Sequence, residues 1–542
     1  MYQLLSVRAW LFLLWAVLVA VSLSVRPLMP VDETRYAAVA WEMWLRGDFL
    51  VPHLNGETYS HKPPLLFWLM TLSWSVLGVN DWSLRLVSPL FALATIYLSV
   101  AVARLLWPER RAIETLAPLM LLGFFFWIVY GTLTMFDMML AFFVLLGIYS
   151  LLKLAEKGLS FRRWGLLAIA IGGGVLSKGP VILLHLLPVA GLAPWWMSAK
   201  LADLRWRHWY GGLLAAILMG AGIALCWAIP AGMAGGEAYR NAIFLGQTSG
   251  RLVKSFAHQL PWWWYLEMLP LFMLPWLLCR PLWAGLMRLN LQDYGIRFCL
   301  AWAVPVFVAF SLVSGKRIHY LLPLFPALAL VLARAAEEIK DCRRWQRAHI
   351  PFVLIIAVIG IVLAVLPRVN ERFHWSTELS AVSPLWGGLL LITAVLSGAV
   401  KGRDAQHAVF YISVTSVLAL LVIACGFFSV KAESYDTKAP AEKIAALMAE
   451  NRDIAILTSK YHGQFHFTGR LCRPIAAFAG FTELQQWARQ HPEGYVLLTY
   501  KDSDAMLASL ASYHYPYKSK HIGFVSSKIL LETPGLSAVL QP

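Results

Sequence analysis

Apolar stretches long enough to cross a bilayer recur from one end of this 542-residue chain to the other. They lie near positions 8–25, 84–107, 112–131, 133–153, 164–177, 180–196, 209–232, 261–279, 297–314, 318–337, 350–367, 383–400 and 406–429. About twenty such residues in a helix span the hydrocarbon, and inside lipid only helices or closed barrels satisfy every backbone N–H and C=O. With 59% hydrophobic and 14% charged residues, the chain is far from the roughly 25% charged composition of a soluble globule. The pattern predicts a polytopic α-helical membrane protein with about thirteen spans. The first run, Leu11 to Val25, shows no evident small-residue cleavage site and is expected to be retained as a helix.

A formal charge of +16 raises the question of nucleic acid, but Lys and Arg sit in short clusters between the apolar stretches, as in cytoplasmic loops. No nucleic-acid partner is expected. The segment from Leu65 to Leu77 follows Pro63-Pro64 and is short for a span. Held at the outer surface, it leaves Arg110 with Arg111, Lys157 with Arg162 and Arg163, Lys200 with Arg205 and Arg207, Arg280 with Arg288, Arg343 with Arg344 and Arg347, and Lys401 with Arg403 on the cytoplasmic side with Arg8. If it crosses, all of those clusters change side. The N-terminus is therefore expected inside and the C-terminus outside. Six cysteines without a CxxC pair argue against a disulfide framework or a zinc site.

Beyond Val430, Lys, Glu, Asp and Gln return and apolar runs shorten to strand length. The expected organisation is a membrane domain over 1–430, including an outer loop at 26–83 with amphipathic juxtamembrane helices, and a small outer α/β domain over 431–542. In the latter, 440–450 and 483–490 read as helices, and 454–458, 495–500 and 519–531 as strand material. The Gly172-Gly173-Gly174 run lies in a span, where glycines serve close helix packing, and no nucleotide-binding loop is evident.

The run from Pro30 to Pro64 places Asp32, Glu33, Tyr59, His61 and Lys62 in a long polar loop with a turn at Asn55-Gly56. A solvated loop with an interfacial helix is the plain alternative, and Asp32-Glu33 also suits a helix N-terminus through the dipole. Asp137 sits at another outer boundary, beside the short turn from Thr132 to Met135. Two carboxylates at one interface can hold a cation, orient a nucleophile or act as base. Lys62, Lys178, Arg251, Lys254, Lys316 and Arg317 also fall on the outer side. Single cations there can snorkel from helix ends, but so many on one face suit a phosphate in a shared polar cavity. No ATP motif is present, so the energy for a reaction would arrive in the substrate.

DETRYAAVAWEMWLRGDFLVPHLNGETYSHKPPLLFWL, with Phe136-Asp137, LSKGP and SGKRIHYLLPLFP, resembles the polyprenyl-phosphate-dependent glycosyltransferases of the C-type fold. Among these it looks nearest to the aminoarabinose (4-amino-4-deoxy-L-arabinose) lipid A transferases. The resemblance covers the membrane part. It implies an enzyme of the bacterial inner membrane, with its active site and C-terminal domain periplasmic. The implied partners are the bilayer, a polyprenyl (undecaprenyl) phosphate-linked sugar donor, and lipid A or another glycan as acceptor. Asp32 and Asp137 match the acidic catalytic pair, and Tyr59 and Lys62 the residues beside the donor phosphate. Lys178, Lys316, Arg317 and Tyr320 match the donor cavity, with Glu33, His61 and Arg251 as supporting candidates. His61 stands where the aminoarabinose transferases usually carry an acid. A divalent metal is compatible with the pattern but not required by it. Two alternatives stay open: another sugar placed on a polysaccharide or protein, and a lipid-linked-sugar transporter, which would carry polar residues nearer mid-membrane.

Overall fold

The computed structural model describes residues 6–197, 205–246, 260–373, 377–501, 503–533 and 536. It forms two compact units, one of Met1–Leu23, His61–Leu66 and Arg85–Gly426, the other of Ser24–Ser60, Phe67–Leu84 and Phe427–Pro542. Among the described residues eight helices, from Val7–Val25 to Ala405–Ala449, are long and apolar enough to cross a membrane, and three more apolar helices are shorter. The crossings expected from the sequence are thus not reproduced as thirteen long helices, because several apolar stretches are broken. The 112–131 stretch is interrupted at the extended Phe124, between Arg111–Gly123 and Phe125–Tyr130. The 261–279 stretch becomes Trp264–Phe272 and a short 3-10 turn at Trp276–Leu278; Pro270 and Pro275 lack the N–H that continues a helix. Leu65–Leu77 has 13 residues, which at 1.5 Å per residue is roughly 20 Å, short of the ~30 Å hydrocarbon.

In the first unit, glycines set how closely three helices approach the Phe161–Lys178 helix. A Cβ at Gly172 would meet Ile223 at 2.8 Å, at Gly173 the Phe143 ring at 2.3 Å, and at Gly174 Ile182 at 2.1 Å. The glycine run serves close packing, as expected from its place in a span. Phe136–Lys157 and Phe161–Lys178 pack antiparallel, with Asp137 and Lys178 at one shared end. Lys157, Arg162 and Arg163 occupy the opposite helix ends.

The second unit joins Ser24–Ser60 and Phe67–Leu84 to the C-terminal part of the chain, while His61–Leu66 of the same loop falls in the first unit. Trp41 Nε1 donates to Leu471 O at 3.0 Å, and Trp74 stacks on Phe467 at 5.1 Å. Asn55, at the turn joining β1 (His53–Leu54) to β2 (Glu57–Thr58), exchanges two hydrogen bonds with the Ile475 backbone, at 2.9 and 2.8 Å. Asn55 and Gly56 both have positive φ, the backbone a two-residue hairpin turn demands. The Asp32–Arg46 helix is largely buried from Glu33 to Met43, so the plain solvated-loop alternative does not hold.

The C-terminal sheet has five strands, β3 (Ile454–Leu457), β4 (Ala476–Phe478), β5 (Tyr495–Tyr500), β6 (Tyr513–Tyr517) and β7 (Lys520–Ser526), in the order β4-β3-β5-β7-β6. The pairings of β3 with β4 and β5 are parallel, and those of β7 with β5 and β6 antiparallel. Alternate residues face opposite sides of a strand. Leu497, Ile522 and Phe524 accordingly pack with Ile444 and Leu447 of the Lys438–Ala449 helix, while Val496, Leu498 and Val525 pack with Leu484, Ala488 and Leu530. Helices therefore cover both faces. Sequence patterning located β3, β5 and two of the helices; of the expected 519–531 strand only β7 forms, the remainder turning into the Ser527–Glu532 helix that the Ser526 side chain caps, and β4 and β6, which are short or rich in Tyr and His rather than aliphatic, were missed.

Candidate active site

In the first unit the site is built where helices end. Met135 is extended and caps the Phe136–Lys157 helix. Ser88 Oγ fixes that entry by donating to Met135 O at 2.8 Å and accepting from Met135 N at 3.1 Å. Asp137 thereby falls in the first helical turn, where the dipole favours a carboxylate. Lys178 is the last residue of its helix, which Gly179 terminates with φ +82°. Lys178 Nζ donates to Asp137 Oδ1 at 2.5 Å and lies 4.8 Å from the Tyr320 ring centroid. Asp137 is 2% exposed, and Lys62 and His319 also lie within electrostatic range of it. Lys62 Nζ stands 5.7 Å from the Phe136 ring centroid. Buried carboxylates persist where cations compensate them, and here that compensation comes from three separate stretches of chain.

Beside this group a cavity of about 280 Å³ is lined by Tyr130, Trp264, Lys316, Arg317 and His319, among others. Arg317 is exposed there, and Tyr265 Oη holds its backbone by donating to Arg317 O at 2.9 Å. Lys316 is buried, and its ammonium donates to Leu260 O at 3.0 Å and Val313 O at 2.6 Å. Two of its three donors thus fasten the loop rather than face a ligand.

The second unit holds Asp32, Glu33 and Tyr59, and the two carboxylates of the Asp-Glu pair part company. Glu33 is buried in a two-pronged ion pair with Arg26 and accepts from Met29 N at 2.9 Å. That set of partners locks the entry to the Asp32–Arg46 helix. The Asp32 side chain is half exposed and accepts from Arg35, with Tyr36 Oη 3.4 Å away. Tyr59 is buried with its ring edge-on to Phe67. His61, assigned to the first unit, is exposed. Arg251 and Lys254 lie outside the described residues.

Three further groups went unassigned from sequence. Arg35 and Tyr36 stand three and four positions after Asp32, the spacing that stacks side chains on one helix face, so the helix period was signal enough. His319 lay inside the Lys316 to Tyr320 motif matched to the donor cavity, without a role of its own. His462, whose Nδ1 is 3.3 Å from Arg35 Nη1, carried no sequence signal at all. Among the described residues no three His, Cys, Asp or Glu side chains gather as metal ligands. A fixed carboxylate ringed by cations suits binding of a phosphate and charge compensation when a phosphate departs.

Comparison with known proteins bears on this chemistry. A family described as dolichyl-phosphate-mannose-protein mannosyltransferase matches residues 61–227. An undecaprenyl phosphate-alpha-4-amino-4-deoxy-L-arabinose arabinosyl transferase of Serratia proteamaculans is 28% identical over 462 residues, 80% of each chain. One of the same name from Pectobacterium carotovorum is 28% identical over 390 residues, 69% of this chain and 68% of the relative. A second such transferase of Pseudomonas fluorescens is 31% identical over 351 residues, 62% of each chain. The crystal structure of ArnT from Cupriavidus metallidurans bound to undecaprenyl phosphate superimposes over 96% of this chain and 99% of that one, with a TM-score of 0.71 at 20% identity. Its apo state gives 0.73 at 19%. The fold is that of these structures.

Proposed function

We infer that this chain, a polyprenyl-phosphate-dependent glycosyltransferase of the C-type fold, moves 4-amino-4-deoxy-L-arabinose from undecaprenyl phosphate to lipid A. The observation that carries the reading is the convergence of Lys62, Lys178 and His319 on buried Asp137, in a chain whose relatives are named for that donor. In the transfer, an oxygen of the acceptor phosphate forms a bond to the sugar's anomeric carbon. The bond from that carbon to the donor phosphate oxygen breaks, and its electron pair leaves with undecaprenyl phosphate. The departing phosphate gains charge, so cations held nearby stabilise the transition state more than the ground state. Lys62, Lys178 and Arg317 are the side chains we assign to this task. Asp137 holds Lys178 in place, and Tyr320 packs against that ammonium. Asp32 works through a cationic group, because beside an ionised phosphate acceptor a lone carboxylate repels and no proton needs removal.

We place this chemistry at the periplasmic face of a bacterial inner membrane, since the basic clusters sit at the helix ends away from Asp137 and Lys178. A lipid-linked-sugar transporter is disfavoured because those polar residues gather at helix ends rather than mid-helix. Transfer of another sugar keeps one supporting observation, His61 in place of an acid. Mass spectrometry of lipid A from cells with and without the gene tests the assignment. Lipid A is expected to carry aminoarabinose only in its presence. Identical lipid A in both, with a donor supplied, overturns it.

A further inference from the structure

Two segments of the C-terminal domain come within electrostatic range of the Asp32 carboxylate, and both bring hydrogen-bond donors. Arg35 joins the two sides: one guanidinium nitrogen donates to Asp32 and the other lies 3.3 Å from His462 Nδ1. A guanidinium only donates, so Nδ1 carries the lone pair and the imidazole proton resides on Nε2. Burial, reinforced by the Arg35 guanidinium and Lys460, pushes His462 down to about 4. Near neutral pH the ring is therefore uncharged, fixes the guanidinium plane and keeps an N–H to offer.

The second segment is the two-residue turn between β6 and β7, Lys518-Ser519. Lys518 adopts φ +57°, a left-handed conformation that glycine and asparagine enter more readily than a long side chain does. Its backbone N–H donates to Ser434 O at 2.7 Å, which pins the turn to the end of the Ala405–Tyr435 helix. The half-buried ammonium lies within electrostatic range of both Asp32 and His462. Arg35 and Lys518 together outnumber the one carboxylate they face. Such an excess suits a phosphate monoester, which carries about −1.5 to −2 charges at pH 7.

We propose that Lys518 and His462 of the C-terminal domain, with Arg35, form a subsite beside Asp32 for a phosphate monoester of the acceptor. The proposal rests on the reading of a phosphate-bearing acceptor given above. The donor phosphate already has Lys62, Lys178 and Arg317 in the other unit, whereas an acceptor phosphate next to Asp32 needs cations of its own. The C-terminal domain then acts in acceptor recognition, with Lys518 binding the phosphate and His462 positioning Arg35.

The test uses the full chain in nanodiscs and glucosamine 1-phosphate as the probe, followed by phosphorus NMR line broadening. Saturable binding is expected for the wild type, weakened at least fivefold in Lys518→Gln and restored in Lys518→Arg, with His462→Gln weakening it less. In turnover, Lys518→Gln should raise KM for lipid A severalfold and leave KM for the polyprenyl donor unchanged. Wild-type-like binding by Lys518→Gln overturns the proposal. So does equal competition by glycerophosphoethanolamine, a phosphodiester, which would mark a general lipid-headgroup site. Failure of the underlying reading shows differently: the wild type transfers no aminoarabinose to lipid A, although it binds glucosamine 1-phosphate through Lys518.

Discussion

Gly173 and the Phe143 ring meet with nothing between them, and a Cβ added at Gly173 would stand 2.3 Å from the ring edge. That close approach brings the helix carrying Lys178 against the helix carrying Asp137. Gly173→Ala forces the ring or the helix aside, and overpacking of this kind costs about 1–3 kcal/mol. A lower unfolding temperature together with reduced transfer is the expected outcome. A variant as stable and active as the wild type would show that Phe143 yields freely.

Lys178 and Asp137 form one electrical unit in a buried place. Lys178→Met leaves a carboxylate without its nearest cation, and breaking a buried pair from one side costs about 3–5 kcal/mol. Adding Asp137→Asn should recover much of that stability without recovering activity. A double-mutant cycle on thermal unfolding measures this coupling, and strictly additive losses would deny it.

Lys62 is expected to act on the donor. Lys62→Ala should weaken turnover of the lipid-linked sugar, because one cation fewer in a low-dielectric site leaves the phosphate poorly compensated. Steady-state kinetics with varied donor checks this, and an unchanged kcat/KM would remove Lys62 from the site.

Asp32→Asn keeps the shape of the side chain and removes its charge. With a phosphate acceptor, turnover should fall and rising pH should not rescue it, since no acceptor proton limits the rate. A pH-rate profile in which the variant recovers in alkali would instead mark Asp32 as a base. Full activity of the variant would leave it a helix-capping carboxylate.

The second unit should lose stability in mild acid. His462 and His466 each have a folded-state pKa lowered from 6.5 to about 4; burial is the main cause, joined for His462 by Arg35. A lowered histidine pKa contributes stability that is complete above about 6.5 and lost as pH falls toward 4. Thermal unfolding of the full chain at pH 7, 5.5 and 4.5 should show the decline, and His462→Gln should flatten it. An unchanged slope in the variant would assign the acid sensitivity to other groups.

Much of the chain could be read from its residues alone, and the reason is the bilayer. Because lipid forbids unsatisfied backbone groups, long apolar runs such as Phe136–Lys157 have essentially one fate, a helix. The glycine run was legible for the same reason, and the α/β character of the C-terminal domain was legible from its longer strands, which are short apolar runs. Local spacing also contained Arg35 and Tyr36, one helical turn beyond Asp32. What residue order did not contain was which polar groups meet. Asp32 and Glu33 are neighbours in sequence, yet one is half exposed beside Arg35 and the other buried against Arg26. Lys316 resembled a ligand cation, and two of its three donors go to backbone carbonyls of the loop beside it. Arg35 and His462 lie 427 positions apart. Hydrophobic periodicity is written along the chain and survives as pattern, whereas a hydrogen bond between distant segments depends on distances of a few ångströms that only the packed helices and the sheet set.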